Sequence, residues 1–509
     1  MLRKLRMEAA QGGSGMEATG GEALGGGTGV VGVFGVGAGH RAFDSRESLF
    51  ATIPPVTDNS KVTAIIITYA PESDVLSACV ESLRAQNPSP DIVIFDNFAL
   101  KDPEHKVAKS FEGENCRVMV SGKNIGFGGA INEALRSVDS EFVLISNYDI
   151  VYESSYMEAA IGRLEVSAKD VVGIAGKTLF YPPDANERWV GRGPGDLFIR
   201  GSTHKHQDGV YGRHRDSVFS DGKLENGDSK CRGTGGVIDN TGTLVNGLML
   251  AYNRGVGQID IGQYDTCDRP MGACFAAFLA RRGAFRPISK GGVGLLDSPY
   301  FMYYEDIDWC YRANILGYKI LYEPGAVAWH HHSLTTRDRS IFFKYHLIQR
   351  NLYRTIMKNM RFRTVIRLWA FHARMHLRRA RVEKEFGAVT AKILFETLAW
   401  AVTGLFKRVP IQPRRKFTDT EIVNLSIGEE GHLDDIALEP KADWHNPLAS
   451  LKRLESRFPD DPACELIPLI EKLADGNAGR DVGEKAIELA RDKCPVLVPL
   501  LSRIVEISF

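Results

Sequence analysis

Three carboxylates crowd into one short segment, Tyr303-Tyr-Glu-Asp-Ile-Asp308, at positions 305, 306 and 308. Like charges this close repel one another, so the cluster is costly unless a cation or a catalytic task offsets the repulsion. A carboxyl held among others keeps its proton to a higher pH and can then serve as a general base near neutrality. The competing interpretation is a solvated helix N-terminus, where the helix dipole favours acidic residues.

Two further patterns contain the residue types that bind metals. Asn147-Tyr-Asp149 follows an apolar run, and a carboxylate at the end of a strand is well placed to hold a divalent cation through oxygen. His330-His-His332 supplies imidazoles, the commonest metal ligands, although consecutive side chains cannot all point the same way. A turn at 147–149 and structural histidines at 330–332 are the competing interpretations.

A glycine-rich turn, Asn124-Ile-Gly-Phe-Gly-Gly-Ala-Ile-Asn132, precedes a helical pattern. Gly126, Gly128 and Gly129 permit positive φ and a close approach of the backbone to a partner. A helix N-terminus attracts anions such as phosphate. On its own, however, such a turn does not identify a ligand.

Apolar strands alternate with helical patterns between residues 61 and 145. Val62–Tyr69 is a continuous β-branched run, and further strands are predicted at 92–95, 117–120 and 142–145, with helices around 76–83 and 129–137. This alternation predicts βαβ units in a mostly parallel α/β sheet flanked by helices, which binds ligands at the carboxyl ends of its strands. Asp96 and Asn147-Tyr-Asp149 lie at two such ends.

The remaining chain divides by composition. Residues 1–60 are predicted to be a disordered, glycine-rich leader, since 13 of the first 40 residues are Gly and none fits the Gly-x-Gly-x-x-Gly spacing. We expect a catalytic domain at 61–335 with inserted loops at 181–263, a basic helical segment at 336–416, a linker at 417–440 and a small helical tail at 441–509. The tail carries Leu466, Leu469, Ile470 and Leu473 on one face.

Bulk composition excludes several classes of protein. The formal net charge is +0, with 63 basic and 63 acidic residues, so the chain as a whole is no polyanion binder and no nucleic-acid partner is expected. The longest apolar stretch, 393–406, is interrupted by Glu396, which argues against a membrane-spanning helix. No apolar core follows the basic N-terminus, and the eight cysteines form no Cys-x-x-Cys pair, so we expect a cytoplasmic protein.

A basic patch contrasts with this neutral average. Between Arg361 and Lys416 there are 14 basic residues and three acidic ones. Arginines alternate with apolar residues there, a pattern compatible with a helix lying on an anionic membrane surface. A solvated helix packed by its apolar face is the alternative.

The order of these segments resembles the family 2 glycosyltransferases of GT-A type, especially the rhamnosyltransferase- and galactofuranosyltransferase-like branch. The resemblance covers about residues 61–335 and is carried by 62–69, 96–97, 124–132, 147–149, 257–265, 272–273, 301–312 and 330–331. It implies a GT-A (nucleotide-diphospho-sugar transferase) fold with C-terminal helical extensions. It also implies inverting transfer of a sugar from a UDP- or dTDP-linked donor to a hydroxyl of a glycan or lipid-linked acceptor, in cell-surface polysaccharide synthesis.

The resemblance also implies a role for individual residues. Asp306 would be the catalytic base, while Glu305 and Asp308 would bind the acceptor or orient that base. Mn²⁺ or Mg²⁺ would be held by Asp149 with His330, or with His331 as second choice. The donor nucleotide would contact Thr68, Tyr69, Asp96, Asn124, Gly126 and Asn147.

Three departures from the family pattern keep other functions open. Ala70 and Phe98 stand where the family usually has Asn and Gly, and Asn147 replaces the first acid of the metal motif. A catalytically inactive, membrane-associated assembly module is therefore an alternative. A nucleotidyltransferase is a third, although the chain lacks the Gly-rich, Arg/Lys-bearing N-terminal loop of such enzymes. The leading interpretation places the enzyme in the cytoplasm, on the inner face of the cell membrane.

Overall fold

The computed structural model describes residues 61–113, 115–181, 233–265, 268–331, 340–426, 445–476 and 478–508. The predicted leader at 1–60 and most of the insertion lie outside the described residues.

Four parallel strands form one half of the main sheet, in the order β3-β2-β1-β4. They are β1 (Val62–Tyr69), β2 (Asp91–Asn97), β3 (Cys116–Val120) and β4 (Phe142–Asn147). Helix α1 (Ser73–Arg84) joins β1 to β2, α2 (Lys106–Lys109) lies between β2 and β3, and α3 (Gly126–Arg136) joins β3 to β4. The predicted strands and both long helices are confirmed in this half, because buried β-branched runs alternate there with helical spacing.

The other half of the sheet is mixed. It contains β5 (Ile150–Tyr152), β6 (Val171–Phe180), β10 (Ala277–Arg281) and β11 (Lys319–His330), with α4 (Tyr156–Val166) before β6. Strand β10 is antiparallel to both β4 and β6, β11 is parallel to β6, and β5 is antiparallel to β11. The expected mostly parallel sheet flanked by helices is confirmed, and β10 and β5, which run against the other strands named so far, make this half mixed. Strand β10 follows irregular chain and no crossover helix, the connection that parallel neighbours require.

The described part of the insertion contains short strands, as expected. Strand β7 (Ile238–Asn240) pairs antiparallel with β6, and β8 (Thr243–Val245) with β9 (Ala251–Asn253) forms a separate hairpin. The insertion thus extends the sheet edge where β6 and β11 end.

Helices dominate the chain from residue 341 onward. Helix α5 (Glu305–Ile315) precedes β11, and the basic segment forms α6 (Ile341–Asn359), α7 (Phe362–Val382) and α8 (Gly387–Arg408). The predicted linker is wrong at its start, because α9 (Asp419–Val423) is packed: the Arg361 amide donates to Asp419 Oδ2 at 2.9 Å and the Val245 amide to Ser426 Oγ at 3.1 Å. Residues 427–440 lie outside the described residues.

The C-terminal tail is an integral layer of the fold. Its helices are α10 (His445–Arg457), α11 (Ile467–Ala474), α12 (Arg480–Lys493) and α13 (Val498–Ser508). Their apolar faces share one hydrophobic cluster with residues of the sheet unit, namely Phe180, Val237, Ile259 and Ile261. The expected apolar face is confirmed, and the partner it covers is the edge of the catalytic sheet.

By length and composition alone, one helix of the described residues could cross a membrane. It is the stretch Lys384–Arg408, of which 28% is buried against the rest of the protein. The interruption by Glu396 does not prevent this, because the flanking turns are almost wholly apolar.

Candidate active site

Strand pairing brings two carboxylates and one imidazole together at the carboxyl edge of the sheet. His330 ends β11, and the pairing of β11 with β5 sets it opposite Ile150, next to Asp149. Strand β7 contributes Asp239. His330 Nδ1 lies 2.8 Å from Asp239 Oδ2, and His330 Nε2 lies 3.4 Å from Asp149 Oδ1. All three side chains are buried.

Electrostatics make His330 a cation in this arrangement. Burial disfavours the charged imidazolium, but the carboxylates of Asp149 and Asp239 outweigh that effect and raise the pKa of His330 to about 10. Two carboxylates held around one positive charge form a site that selects cations.

The neighbouring histidine is placed differently. The His331 ring stacks on Tyr181 with centroids 4.0 Å apart, while the His331 amide donates to the Asp149 carbonyl at 3.0 Å. Of the two predicted ligands, His330 is therefore the one whose ring meets Asp149.

The acidic segment begins helix α5, after a loop of unusual backbone. Phe301, Tyr303 and Tyr304 all have positive φ, near 68–69°, a conformation that costs a non-glycine residue free energy. The loop is held by Asn351 of α6, whose side-chain amide donates to the carbonyls of residues 300, 302 and 303 at 2.8–3.0 Å. The sharp turn presents Glu305 and Asp306 at the first turn of the helix.

Two of the three carboxylates have raised pKa values. Burial, followed by the charge of Asp306, raises the pKa of Glu305, and burial raises that of Asp306. The Asp306 side chain stays partly accessible and accepts from the Ile307 amide at 2.8 Å. Glu305 Oε2 is buried, and it meets no hydrogen-bond donor among the described residues. Asp306 can therefore accept a proton beside a neutral Glu305 that can donate one.

The third carboxylate is a structural ion, contrary to its predicted role with the acceptor or base. Asp308 is completely buried, with Oδ2 2.6 Å from Lys358 Nζ and Oδ1 2.6 Å from Asn359 Nδ2. Tyr300 also donates to it at 3.2 Å. It faces α6 because it lies two residues after Asp306, about 200° further round the helix.

One cysteine lies within electrostatic reach of both clusters. Burial is the largest cause that raises the pKa of the Cys274 thiol, and the charges of Asp306, Asp239 and Glu305 raise it further. Charges of the acid pair of α5 and of Asp239 thus both act on Cys274, which lies between them in the chain. Together they form the candidate active site.

The glycine-rich turn is packed against the same loop. Gly126 has φ +76°, and a Cβ there would meet the Phe301 carbonyl oxygen at 2.3 Å. The Phe127 amide donates to that oxygen at 2.7 Å. Asn124 closes the turn, since its Oδ1 accepts from the Gly126 amide at 2.9 Å. Glycine is thus required at 126 by contact with the catalytic loop.

Side chains at the carboxyl ends of β1 and β2 form hydrogen bonds with other residues of the protein. Thr68 Oγ1 donates to Asp96 Oδ1 at 2.5 Å, and His105 Nδ1 lies 2.7 Å from Asp96 Oδ2. Both Asp96 oxygens are therefore engaged within the protein and the side chain is buried, and its contact with the donor base stays a prediction. Tyr69 and Asn147 at the same edge are half-buried and remain accessible.

Sequence reasoning missed Asp239, His105 and Asn351. Asp239 lies in an insertion without periodicity, and His105 in a loop, so neither stood out by spacing. Asp239 and Asn351 act through partners far away in the chain, and His105 through Asp96, nine residues before it. The available signal was an acidic residue, Asp239, directly after the apolar pair Val237–Ile238, and this pattern indicates a buried strand more than a site.

The donor set suits a divalent metal ion, the cofactor implied by the sequence resemblance. Carboxylate oxygens and an imidazole nitrogen are ligands that Mn²⁺ accepts, and Mg²⁺ accepts the oxygens. No group of three such side chains in a metal-binding arrangement is found within the described ranges, and the protonated His330 ring lies between the two carboxylates. A metal would replace that proton, since imidazole binds metals in its neutral form.

Comparison with known proteins gives a match for part of the chain. Residues 63–212 match the family described as glycosyl transferase family 2, which is 150 of the 509 residues. No curated protein matches the sequence.

Solved structures give distant likenesses. A structure of GalNAc-T7 with UDP, GalNAc and Mn²⁺ has 13% identity and a TM-score of 0.41, covering 67% of this chain and 57% of that one. A mannosyltransferase, PcManGT from Pyrobaculum calidifontis, in complex with GDP-Man and Mn²⁺, has 12% identity and a TM-score of 0.35, covering 76% of this chain and 91% of that one. The chain thus spans little more than half the length of the first.

The family match and the sheet order agree on the fold. A mixed sheet flanked by helices, extended by C-terminal helices, is a GT-A-like fold. The match identifies residues 63–212 as a glycosyltransferase family 2 type of domain.

Proposed function

We propose that the protein transfers a sugar from a nucleotide-diphosphate donor to an acceptor hydroxyl, with inversion at the anomeric carbon. The observation that carries this proposal is that Asp306, a carboxylate tuned by burial, and the Asp149–Asp239–His330 cluster both include charges that act on the Cys274 thiol. The match of residues 63–212 supports it. The finer assignments belong to the proposal too: a UDP- or dTDP-linked donor, a rhamnosyl or galactofuranosyl type of sugar, and a cell-surface glycan or lipid-linked acceptor.

The chain's own residues account for the proton. The acceptor oxygen forms a bond to the anomeric carbon while its proton passes to Asp306. The bond from that carbon to the diphosphate oxygen breaks, and its electron pair leaves with the nucleotide. Burial raises the pKa of Asp306, which improves its affinity for the proton relative to an exposed aspartate. Glu305 lies next to Asp306, and burial together with the charge of Asp306 favours its neutral form.

A divalent ion would be held by Asp149, Asp239 and His330, where it would neutralise negative charge on the leaving diphosphate. Asp239 is our addition to the predicted ligand set, on the strength of its 2.8 Å contact with His330.

Replacing the proposed base tests the assignment directly. Asp306→Asn keeps the shape of the side chain but cannot accept a proton, so kcat should fall about 10²–10⁴-fold while donor affinity changes little. A screen of nucleotide sugars by thermal shift, with and without Mn²⁺, identifies the donor, and release of nucleotide diphosphate then measures transfer.

The matched control is Asp139→Asn, an exposed acid on the far end of β4, which should keep full activity. Near-normal transfer by Asp306→Asn would remove Asp306 as the base. Failure of every nucleotide sugar to bind would instead favour the inactive assembly module.

A further inference from the structure

Helix α8 carries a continuous apolar stripe on its solvent-facing side. Six large apolar residues on it are 52–73% exposed, a high value for such side chains. They recur at alternating intervals of three and four residues, with one additional neighbour, so they line one face of the helix. We call them the α8 stripe: Phe395, Leu398, Val402, Leu405, Phe406 and Val409.

The opposite face of α8 is docked on the protein. Ile393, Thr397 and Trp400 are buried, and ion pairs fix the helix at separate points. His346 Nε2 lies 3.1 Å from Glu396 Oε2, and Lys407 Nζ lies 2.6 Å from Asp297 Oδ1. A helix attached along its length lies on the surface, so the α8 stripe belongs to an interfacial helix and not to a membrane-crossing one.

The adjacent helix α7 carries a row of exposed arginines. Its buried residues, Val365, Leu368, His372 and His376, form one stripe. Five arginines lie on the opposite side, 363, 367, 374, 378 and 381. Within the described part of the chain, Arg379 of α7 forms an ion pair with Glu383 at 3.4 Å. The five outward-facing arginines form no ion pair there. Helices α7 and α8 contact each other and both contact α6.

From these two faces we propose that α7 and α8 form a docking surface for an anionic lipid bilayer. The α8 stripe enters the boundary between headgroups and acyl chains, and the α7 arginines pair with lipid phosphates. The sequence expectation placed both features on the arginine helix, where Ile366, Phe371 and Leu377 are exposed, and the α8 stripe adds a second apolar face. A second copy of the chain seated on the stripe by a two-fold axis would bring two uncompensated arginine rows together, which disfavours it. The proposal does not depend on glycosyl transfer.

Vesicle binding tests the proposal without any activity assay. We expect the full chain to sediment with vesicles of 70% phosphatidylcholine and 30% phosphatidylglycerol, and much less with phosphatidylcholine alone. The double variant Leu398→Glu/Val402→Glu should bind at least about 10-fold more weakly, because carboxylates enter the lipid-facing stripe. Arg367→Gln/Arg374→Gln should lose about five-fold per arginine and show a weaker dependence on salt.

The matched control is Leu100→Glu/Val166→Glu, which replaces two exposed apolar residues outside the surface, 87% and 80% exposed. It should bind as tightly as the unchanged chain. Phe395→Ser/Phe406→Ser, checked by circular dichroism, provides a second stripe variant in case the first misfolds.

Equal vesicle binding by the stripe variants and the control would overturn the proposal. The proposal would also be overturned if vesicles fail to bind and sedimentation velocity instead shows a dimer that the stripe variants dissociate. Donor binding measured in the same variants reports separately on the proposed function.

Discussion

Glu305 and Asp306 differ in character although they are adjacent. Glu305 is buried beside the charge of its neighbour, so its neutral form is favoured, while Asp306 keeps access to solvent and accepts from the Ile307 amide. Environments that push two carboxyl pKa values apart define which one accepts and which one donates a proton. We therefore expect their pH behaviour to be separable.

Stability should report the Glu305 proton. Its pKa is raised in the folded protein, so above the ordinary value near 4.5 the folded state binds more protons than the unfolded state. The free energy of unfolding must then fall as pH rises through that window. Glu305→Gln should remove this slope. Its free energy of unfolding, relative to that of the unchanged protein, should therefore be higher at pH 8.5 than at pH 5.

Denaturant unfolding at the two pH values measures the difference, with the exposed Glu488→Gln as control. An unchanged pH slope in Glu305→Gln would show that the buried carboxyl does not hold a proton.

Residue types alone found Asp306, Asp149 and His330, because carboxylates at strand and helix ends are recognisable. They could not separate Asp308 from its neighbours. Its partner Lys358 lies 50 residues further along the chain, and only the packing of α5 on α6 turns Asp308 inward. Asp239 was missed for the same reason, since its role depends on the pairing of β7 with β6.

At the scale of elements, α6 is the support on which the catalytic loop rests. The side-chain amide of Asn351 is completely buried and donates to three carbonyls of this loop, those of residues 300, 302 and 303. Local periodicity predicted strands β1 to β4 and helices α1 and α3, while the segment that contains α6 was expected only to be helical. It could not predict the antiparallel entry of β10, which depends on contacts made across the whole sheet.

Removing that amide should loosen the loop. Asn351→Ala leaves buried carbonyls without their donor, at a cost of about 1–3 kcal/mol for each unsatisfied group. We expect a total loss of about 2–4 kcal/mol in the free energy of unfolding and a fall in kcat larger than the change in donor affinity. Gln349→Ala, on another face of α6, is the control, and equal effects of the two variants would contradict the supporting role.

At the scale of the whole molecule, the sheet and the C-terminal tail pack together through one shared apolar cluster. Ser450 Oγ donates to the Ile259 carbonyl at 3.1 Å, and Arg457 Nη1 lies 3.0 Å from Asp268 Oδ2, so polar contacts reinforce the cluster. An apolar face on the tail was predictable from its spacing. The surface that receives it was not, because Phe180 and Ile259 are far away in sequence.

Unfolding should therefore be cooperative across this boundary. Leu454→Asp buries a charge in the shared cluster and should lower the melting temperature of the whole protein in a single transition. Calorimetry measures it, with the exposed Leu100→Asp as control. Two separate transitions, of which only one moves, would show that the tail folds independently.

Lys407 connects helix α8, which carries the apolar stripe, to helix α5, which carries the proposed base. It pairs with Asp297, Asp297 also pairs with Lys358, and Lys358 pairs with Asp308 at the base of the catalytic helix. Two binding equilibria that share one conformational change alter each other by the same factor. A bilayer that shifts this ionic chain would thus change donor affinity, and bound donor would change vesicle affinity equally. A membrane anchor on a flexible tether would only bring the protein close to the bilayer. It would not make donor affinity and vesicle affinity depend on each other.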